Sequence, residues 1–485
     1  MLILWNDLGS RINFRIKKEH TCIEDPIGIQ VKAVEDSIMA RCSLPTSITS
    51  LHQAYSEAMD NVAPEVSCRL RTPRQMASKC KKRKLKLLPA IPENISDIII
   101  PIDLGMLWYK PIIPGECEQS KVFFQEKLII NNNGIETILI FGTDAFLSML
   151  FLATTCYADG TFRMAPHQFL QVFTMHIMRN KRSIPCLYGI FTHKSEASYT
   201  ALFNWISTKA QLLNPDVERP IMWQETLTDY ESGLLPAIQN HDFGTPIRVK
   251  GCHFHHCQAI YRRVQRAGLT EQYRRHLLVR SLVRGLFAIA YLPVNEVVDG
   301  FDDFIRSEPS VQAVIAYPQL NDVIQYYRRT WITGRYPLNM WNTHEMGKIN
   351  NNNNIEAWNR QANDSIGNHY FLWHFMVKLK RMQKMEEAWS AIVHTQGRNP
   401  QQQPQKRFYR EKFATINAMI RNYDRNQGEY ADKVDFIVSM ALHQGAGHDN
   451  EEPREVDEVE EEEEDNDEEE AEQQDVVRLR DLFND

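Results

Sequence analysis

Three acidic residues stand where a carboxylate could do chemistry. Asp159 lies inside the strand-like run CYADGTF (Cys156 to Phe162), Asp229 closes the short run LTD, and Glu356 sits in NNNNIEAWNR at the start of a helix. Side chains at the ends of neighbouring strands can converge on one ligand. Three carboxylates also make a sufficient set of hard oxygen donors for two Mg²⁺ or Mn²⁺ ions about 4 Å apart. That arrangement activates the attacking oxygen and stabilises the leaving one at a phosphodiester. Taken singly, each acid has an ordinary reading. An aspartate beside a glycine, here Gly160, usually makes a turn, and a helical glutamate usually faces water. Only joint placement argues for a site.

Other groups accompany them. Cys252 and His255 form a Cys-x-x-His pair in GCHFHHCQ, which is half a zinc ligand set. No second pair follows nearby, so the expected role is packing and hydrogen bonding beside the acids, and zinc is not expected in this chain. His253, His256 and Cys257 carry no comparable pattern. Near the start, His20 and Cys22 form a His-x-Cys pair with no cysteine before it, too few ligands to close a tetrahedral site. Positive charge gathers in KCKKRKLK, centred on Lys81, Lys82, Arg83 and Lys84, and again at Arg262, Arg263, Arg266, Arg274 and Arg275. Both clusters suit DNA phosphates, and the first also suits a nuclear import signal. Plain solvated charge is the alternative for each.

These residues need a scaffold, and the pattern from Ile135 onward supplies one. ETILIF is a short β-branched run with a helix after it to about Leu152, and CYADGTF, FLQVFTMHIM and IPCLYGIFT are three successive strand-like runs joined by short linkers. A helix follows with Tyr199, Leu202, Phe203, Ile206 and Ala210 on one face. Then come a strand ending at Asp229, a helix through Leu235 and Ile238, and a strand over Ile247 to Phe254. Three antiparallel strands, helix, strand, helix, strand is the element order of an RNase H-like sheet. From Gln258 to Ile332 the sequence reads as helix, with Leu278, Leu282, Leu286 and Ile289 as its apolar stripe. The fold class is therefore α/β: a mixed RNase H-like sheet, a large all-α insertion, further helices, and an acidic tail too polar to bury a core.

The net charge of −7 hides two opposed regions. Asp449 to Asp475 holds eighteen acids against one arginine, which leaves about +10 on Met1 to His448. A basic body suits a polyanion. Nine scattered cysteines point to a reducing compartment. No apolar run approaches the ~20 residues of a membrane span, and the opening residues lack the pattern of a secretory signal.

Several ordered blocks carry a family resemblance. CYADGTFRMAPHQFLQVFTMH with IPCLYGIFTHKSEASYTALFNWI, then LTDYESGLLPAI, then GCHFHHCQAIYRRVQRAGL, and finally NNNNIEAWNR together resemble the signature blocks of Mutator-like transposases. LLPAIPENISDI and ILIFGT resemble the animal members that also carry an N-terminal FLYWCH-type zinc finger. The resemblance spans about Leu87 to Met440. It implies Asp159, Asp229 and Glu356 as a metal-binding catalytic triad, with Cys252 and His255 beside it. It also implies transposon and target DNA as partners, a homo-oligomer on DNA, and a nuclear location. His20 and Cys22 then stand either as a remnant of the finger or as incidental residues.

Two departures bear on activity. Asn350 and Asn351 replace the family's arginine-threonine, and Asn359 stands where the family has a histidine three residues after its glutamate. The alternative is thus a domesticated or decayed derivative that binds DNA or chromatin without cutting. The expected organisation is a finger remnant over 1–48, a helical, basic connector over 49–134 and a first core part over 135–257. The helical insertion then covers 258–340, core-completing and C-terminal helices 341–448, and the disordered tail 449–485.

Overall fold

The computed structural model describes residues 3–5, 11–13, 25–43, 51–86, 89–109, 119–180, 182–345, 353–367, 371–396, 407–425 and 432–443. His20, Cys22 and the acidic tail lie outside them. The chain divides into two compact units, Met1–Ala90 and Ile91–Asp485.

In the first unit β1 (Ile3–Trp5) pairs antiparallel with β2 (Arg11–Asn13). Four helices follow: α1 (Pro26–Ser43), α2 (Leu51–Met59), α3 (Pro64–Ser67) and α4 (Pro73–Lys86). Thr72 and Gln75 start α4 as a reciprocal capping box, the Thr72 amide donating to Gln75 Oε1 at 2.9 Å and the Gln75 amide to Thr72 Oγ1 at 3.4 Å. Ile38, Met39, Cys42, Ala54, Met76 and Cys80 form one buried core. That core joins helices from both sides of residue 48 within the unit Met1–Ala90. Arg71 Nε donates to both Glu35 oxygens, at 2.9 and 3.0 Å, which holds that carboxyl below its usual range.

The second unit opens with α5 (Ile102–Gly105) and the hairpin of β3 (Met106–Tyr109) and β4 (Gln119–Val122). Its sheet contains β5 (Phe124–Asn131), β6 (Ile135–Phe141), β7 (Thr155–Thr161), β8 (Gln171–Arg179), β9 (Arg182–Phe191), β10 (Glu225–Thr228) and β11 (Arg248–Gly251), in the order β11-β10-β7-β8-β9-β6-β5. Neighbours from β7 through β5 are antiparallel, while β10 runs parallel to both β7 and β11. Asn133 and Gly134, with φ of 48° and 157°, turn β5 into β6. Parallel strands need crossovers, supplied by α7 (Glu196–Leu213) before β10 and α8 (Leu234–Asn240) before β11. These two and α6 (Asp144–Phe151) cover one sheet face through Phe146, Phe173, Leu202, Phe203 and Ile238.

After β11 comes a helical body of α9 (His253–Arg266), α10 (Thr270–Arg275), α11 (Leu277–Ala288), α12 (Val297–Arg306), α13 (Glu308–Ala316), α14 (Leu320–Tyr327) and α15 (Leu338–Trp341). The strand expected through Phe254 stops at Gly251, and Cys252 instead caps α9. The sheet's second face is covered by α16 (Asn353–Ile366) and α17 (Leu372–Gln396). Here Ile355 packs on Tyr157 and Leu227. Trp358 donates to Glu386 at 3.3 Å, and Arg182 from β9 meets the same carboxylate at 2.6 Å. That shared acceptor pins α16 to the sheet. Finally α18 (Arg407–Asp424) and α19 (Lys433–Ala441) turn back, adding Ile416, Met419, Phe436 and Ile437 to the helical body's core. Among the described residues no helix is long and apolar enough to cross a membrane.

Candidate active site

Alternation along β7 sends Cys156 and Ala158 into the core beneath α6 to α8, and Tyr157 and Asp159 to the α16 side. The parallel register pairs Leu227 with Tyr157. Two more steps along both strands bring Asp229 beside Asp159, at an inter-strand spacing of about 4.8 Å. Their carboxyls are close enough to influence each other's ionisation. Two anions so close favour a proton or cation between them.

Asp159 is 5% exposed. Asn359 Nδ2, on α16, donates to its Oδ2. Thr174 Oγ1 donates to its backbone oxygen at 3.3 Å and contacts His176 Nε2 at 2.9 Å, while His176 Nδ1 meets Ser183 at 2.9 Å. Burial depresses His176 to about 3, so the ring is neutral and acts as a polar spacer under α16.

Asp229 meets a charge. Its Oδ1 lies 2.8 Å from His255 Nδ1, each side chain 25% exposed. Burial works against ionising Asp229, but the close positive charge of His255, the neighbouring Asp159 and the charge of Arg262 outweigh it and hold the carboxyl below its usual range. Burial likewise opposes a charged His255, and Asp229 followed by Cys252 overcomes it, keeping the imidazole protonated well above its usual range. The Cys252 amide donates to the Thr228 carbonyl at 2.9 Å, tying the start of α9 to the strand that ends in Asp229. His255 and Arg262 are seven positions apart, two helical turns, and so share a face.

Asp159, Asp229, Cys252 and His255 are thus brought together. Position 356 lies on α16, directly after Ile355 and one turn before Asn359; the Glu356 side chain lies outside the described residues. The basic residues separate. Arg262 belongs to the site, whereas Arg263 lies over the Tyr326 ring at 5.8 Å and Arg266 is exposed. Arg275 pairs with Glu271. Lys82 and Arg83 are exposed on α4 in the other unit, where Lys81 and Lys84 have side chains outside the described residues.

Sequence reasoning missed Glu231. Tyr199 donates to its Oε2 at 2.8 Å, and a Cβ added at Gly160 would stand 3.9 Å from that oxygen. The signal was there, an acid two residues after Asp229, on the same short segment. Two carboxylates side by side, Asp159 and Asp229, are donors suited to hard divalent cations. No family model, no curated protein and no solved structure matches the chain.

Proposed function

We propose that the chain is a DNA-cutting and DNA-joining enzyme of the Mutator-like transposase kind, on an RNase H-like fold with a helical insertion. The observation that supports this best is the side-by-side pair Asp159 and Asp229 under α16, the helix of position 356. In this reading Asp159 and Asp229 hold Mg²⁺ or Mn²⁺, and Glu356 completes the set. Such ions, when bound, neutralise phosphate charge and lower the pKa of water. The chain's own residues do the positioning. His255 fixes one oxygen of Asp229, Asn359 orients Asp159, and Arg262 offers a cation for a phosphate beside them. The dense, apolar underside of the sheet keeps both strands in register. The products follow from water attack on one phosphodiester and attack of the freed 3′ hydroxyl on target DNA. Transposon ends and target DNA are the partners, the protein acts as a homo-oligomer on them, and the nucleus is where it works.

One feature favours a second reading, a DNA-binding derivative without catalysis. Asn359 and His255 already occupy one oxygen of each aspartate. The test is strand transfer by the purified chain with Mg²⁺ and the DNA flanking its own gene. Joined product is expected, lost in Asp159→Asn and Asp229→Asn variants that stay folded. Tight DNA binding with no cleavage in Mg²⁺ or Mn²⁺ would overturn the enzymatic reading in favour of the second.

A further inference from the structure

The first two turns of α9 face two ways. His255 looks to Asp229, while His253, His256 and Cys257, spaced i, i+3 and i+4, share the face turned into the helical body. They are 8%, 0% and 5% exposed. One ligand atom from each lies within 4.8 Å of the others, and Cys257 Sγ stands 3.4 Å from His253 Nε2.

His256 makes this cluster more than packing. Neither of its ring nitrogens has a hydrogen-bond partner, and both are sealed from solvent. The ring is stacked on Trp341 at 4.9 Å and meets Trp331 edge-on at 4.5 Å and Tyr327 at 5.8 Å. An aromatic face can satisfy an N–H donor. It cannot satisfy the imidazole lone pair. A buried, unmatched acceptor is unfavourable. A metal ion can take that lone pair, and the neighbouring His253 and Cys257 supply further ligand atoms for one.

We infer that His253, His256 and Cys257 form a three-ligand site for a thiolate- and imidazole-loving transition-metal ion, the class of Cu⁺, which three donors can satisfy, and of Zn²⁺, which would add a fourth, non-protein donor. One thiolate and two imidazoles are the wrong donors for Mg²⁺ and the right ones for these ions. Bonds of about 2.0–2.1 Å to nitrogen and about 2.3 Å to sulfur put ligand atoms about 3.3–3.6 Å apart in a tetrahedral site. An edge of 4.8 Å would close by about 1.2–1.5 Å, a side-chain adjustment. Charge separates the two ions: with one thiolate, Cu⁺ leaves a neutral centre and Zn²⁺ a cationic one, which the rings of Trp331 and Trp341 can face. The site is separate from Cys252 and His255, and it stands whether or not the acid pocket is catalytic.

The experiment is metal analysis of the full chain after loading with Zn²⁺ or Cu⁺ and dialysis. Stoichiometric retention of one of them, with a raised melting temperature, is expected; which ion is kept distinguishes the two. His256→Phe keeps an aromatic ring against Trp341 and removes the ligand. It and Cys257→Ser should each lower affinity by more than the about 10–100-fold typical of an outer partner. Cobalt loading adds a direct readout, since thiolate charge-transfer absorption should appear in the natural chain and vanish in Cys257→Ser. Trace metal under all loadings would overturn the inference. So would loss of metal in Cys252→Ser or His255→Ala with full retention in His256→Phe.

Discussion

Replacing His255 by glutamine removes the cation that faces Asp229 and leaves two carboxyls on adjacent strands. With about 4.8 Å between them and an effective dielectric near 20, their repulsion is about 3.5 kcal/mol, or about 2.5 pKa units on whichever group ionises second. Each His255 and Asp229 side chain is 25% exposed, and water screening trims that to about 2–3 kcal/mol. The sign is definite. In the natural chain Asp229 is depressed, so its contribution is present above the unfolded carboxyl value and lost as pH falls through its folded value. His255 is raised, so its contribution is complete below the unfolded imidazole value and lost only as pH climbs through the higher folded one. Between about pH 4 and pH 6.5 the natural pair is therefore fully favourable. The variant has a raised carboxyl instead, and loses stability progressively across that same interval. Thermal unfolding at several pH values, with and without Mg²⁺, checks this. The variant's curve should fall away from the natural one as pH rises, and Mg²⁺ should restore the variant more than it stabilises the natural chain. Parallel curves that Mg²⁺ leaves unchanged would show that the two aspartates are not electrostatically coupled.

Further outcomes are expected. Glu386→Gln removes the charge that Arg182 meets in a largely buried ion pair and weakens the hold on Trp358, for a loss of about 3 kcal/mol; if α16 seats the third acid, strand transfer should drop more than DNA affinity does. Cys42 and Cys80 sulfurs lie 3.0 Å apart in the first unit, so hydrogen peroxide should join them, two thiols giving up two protons and two electrons as the peroxide becomes water. Thiol titration and mass should show that loss, and Cys42→Ala should abolish it. Deleting 449–485 should tighten non-specific DNA binding at low ionic strength, and unchanged affinity near about 50 mM salt would make the tail a solubilising appendage.

Asp159 and Asp229 were legible because strand periodicity and a short LTD run carry their positions locally, and parallel neighbours then share a register. The α9 boundary was not. CHFHH alternates apolar and polar residues like a strand, and only the i, i+3, i+4 recurrence of His253, His256 and Cys257 marks it as helix. The β5 strand was passed over, although Asn133 and Gly134 are a hairpin signal. Its burial alternates only weakly at the sheet's edge. That α18 and α19 return to the helical body cannot be read from their own sequence, since an apolar stripe says what is buried and not against what. Asn359 looked like a departure from a pattern; its amide on Asp159 is visible only in three dimensions.

That contact also sets a clock. Asn359 reaches Asp159 across 200 positions. At a synthesis rate of about 5–20 residues per second, the strand bearing the first aspartate leaves the ribosome about 10–40 s before the helix that covers it. During that interval β7 and β10 can pair, but the residue at position 356 does not yet exist. A chain that stops anywhere in the helical body would carry both aspartates and no closing helix. Under the proposed function, the nascent polypeptide and its truncated forms could hold DNA through their arginines but would lack the third acid needed to break it.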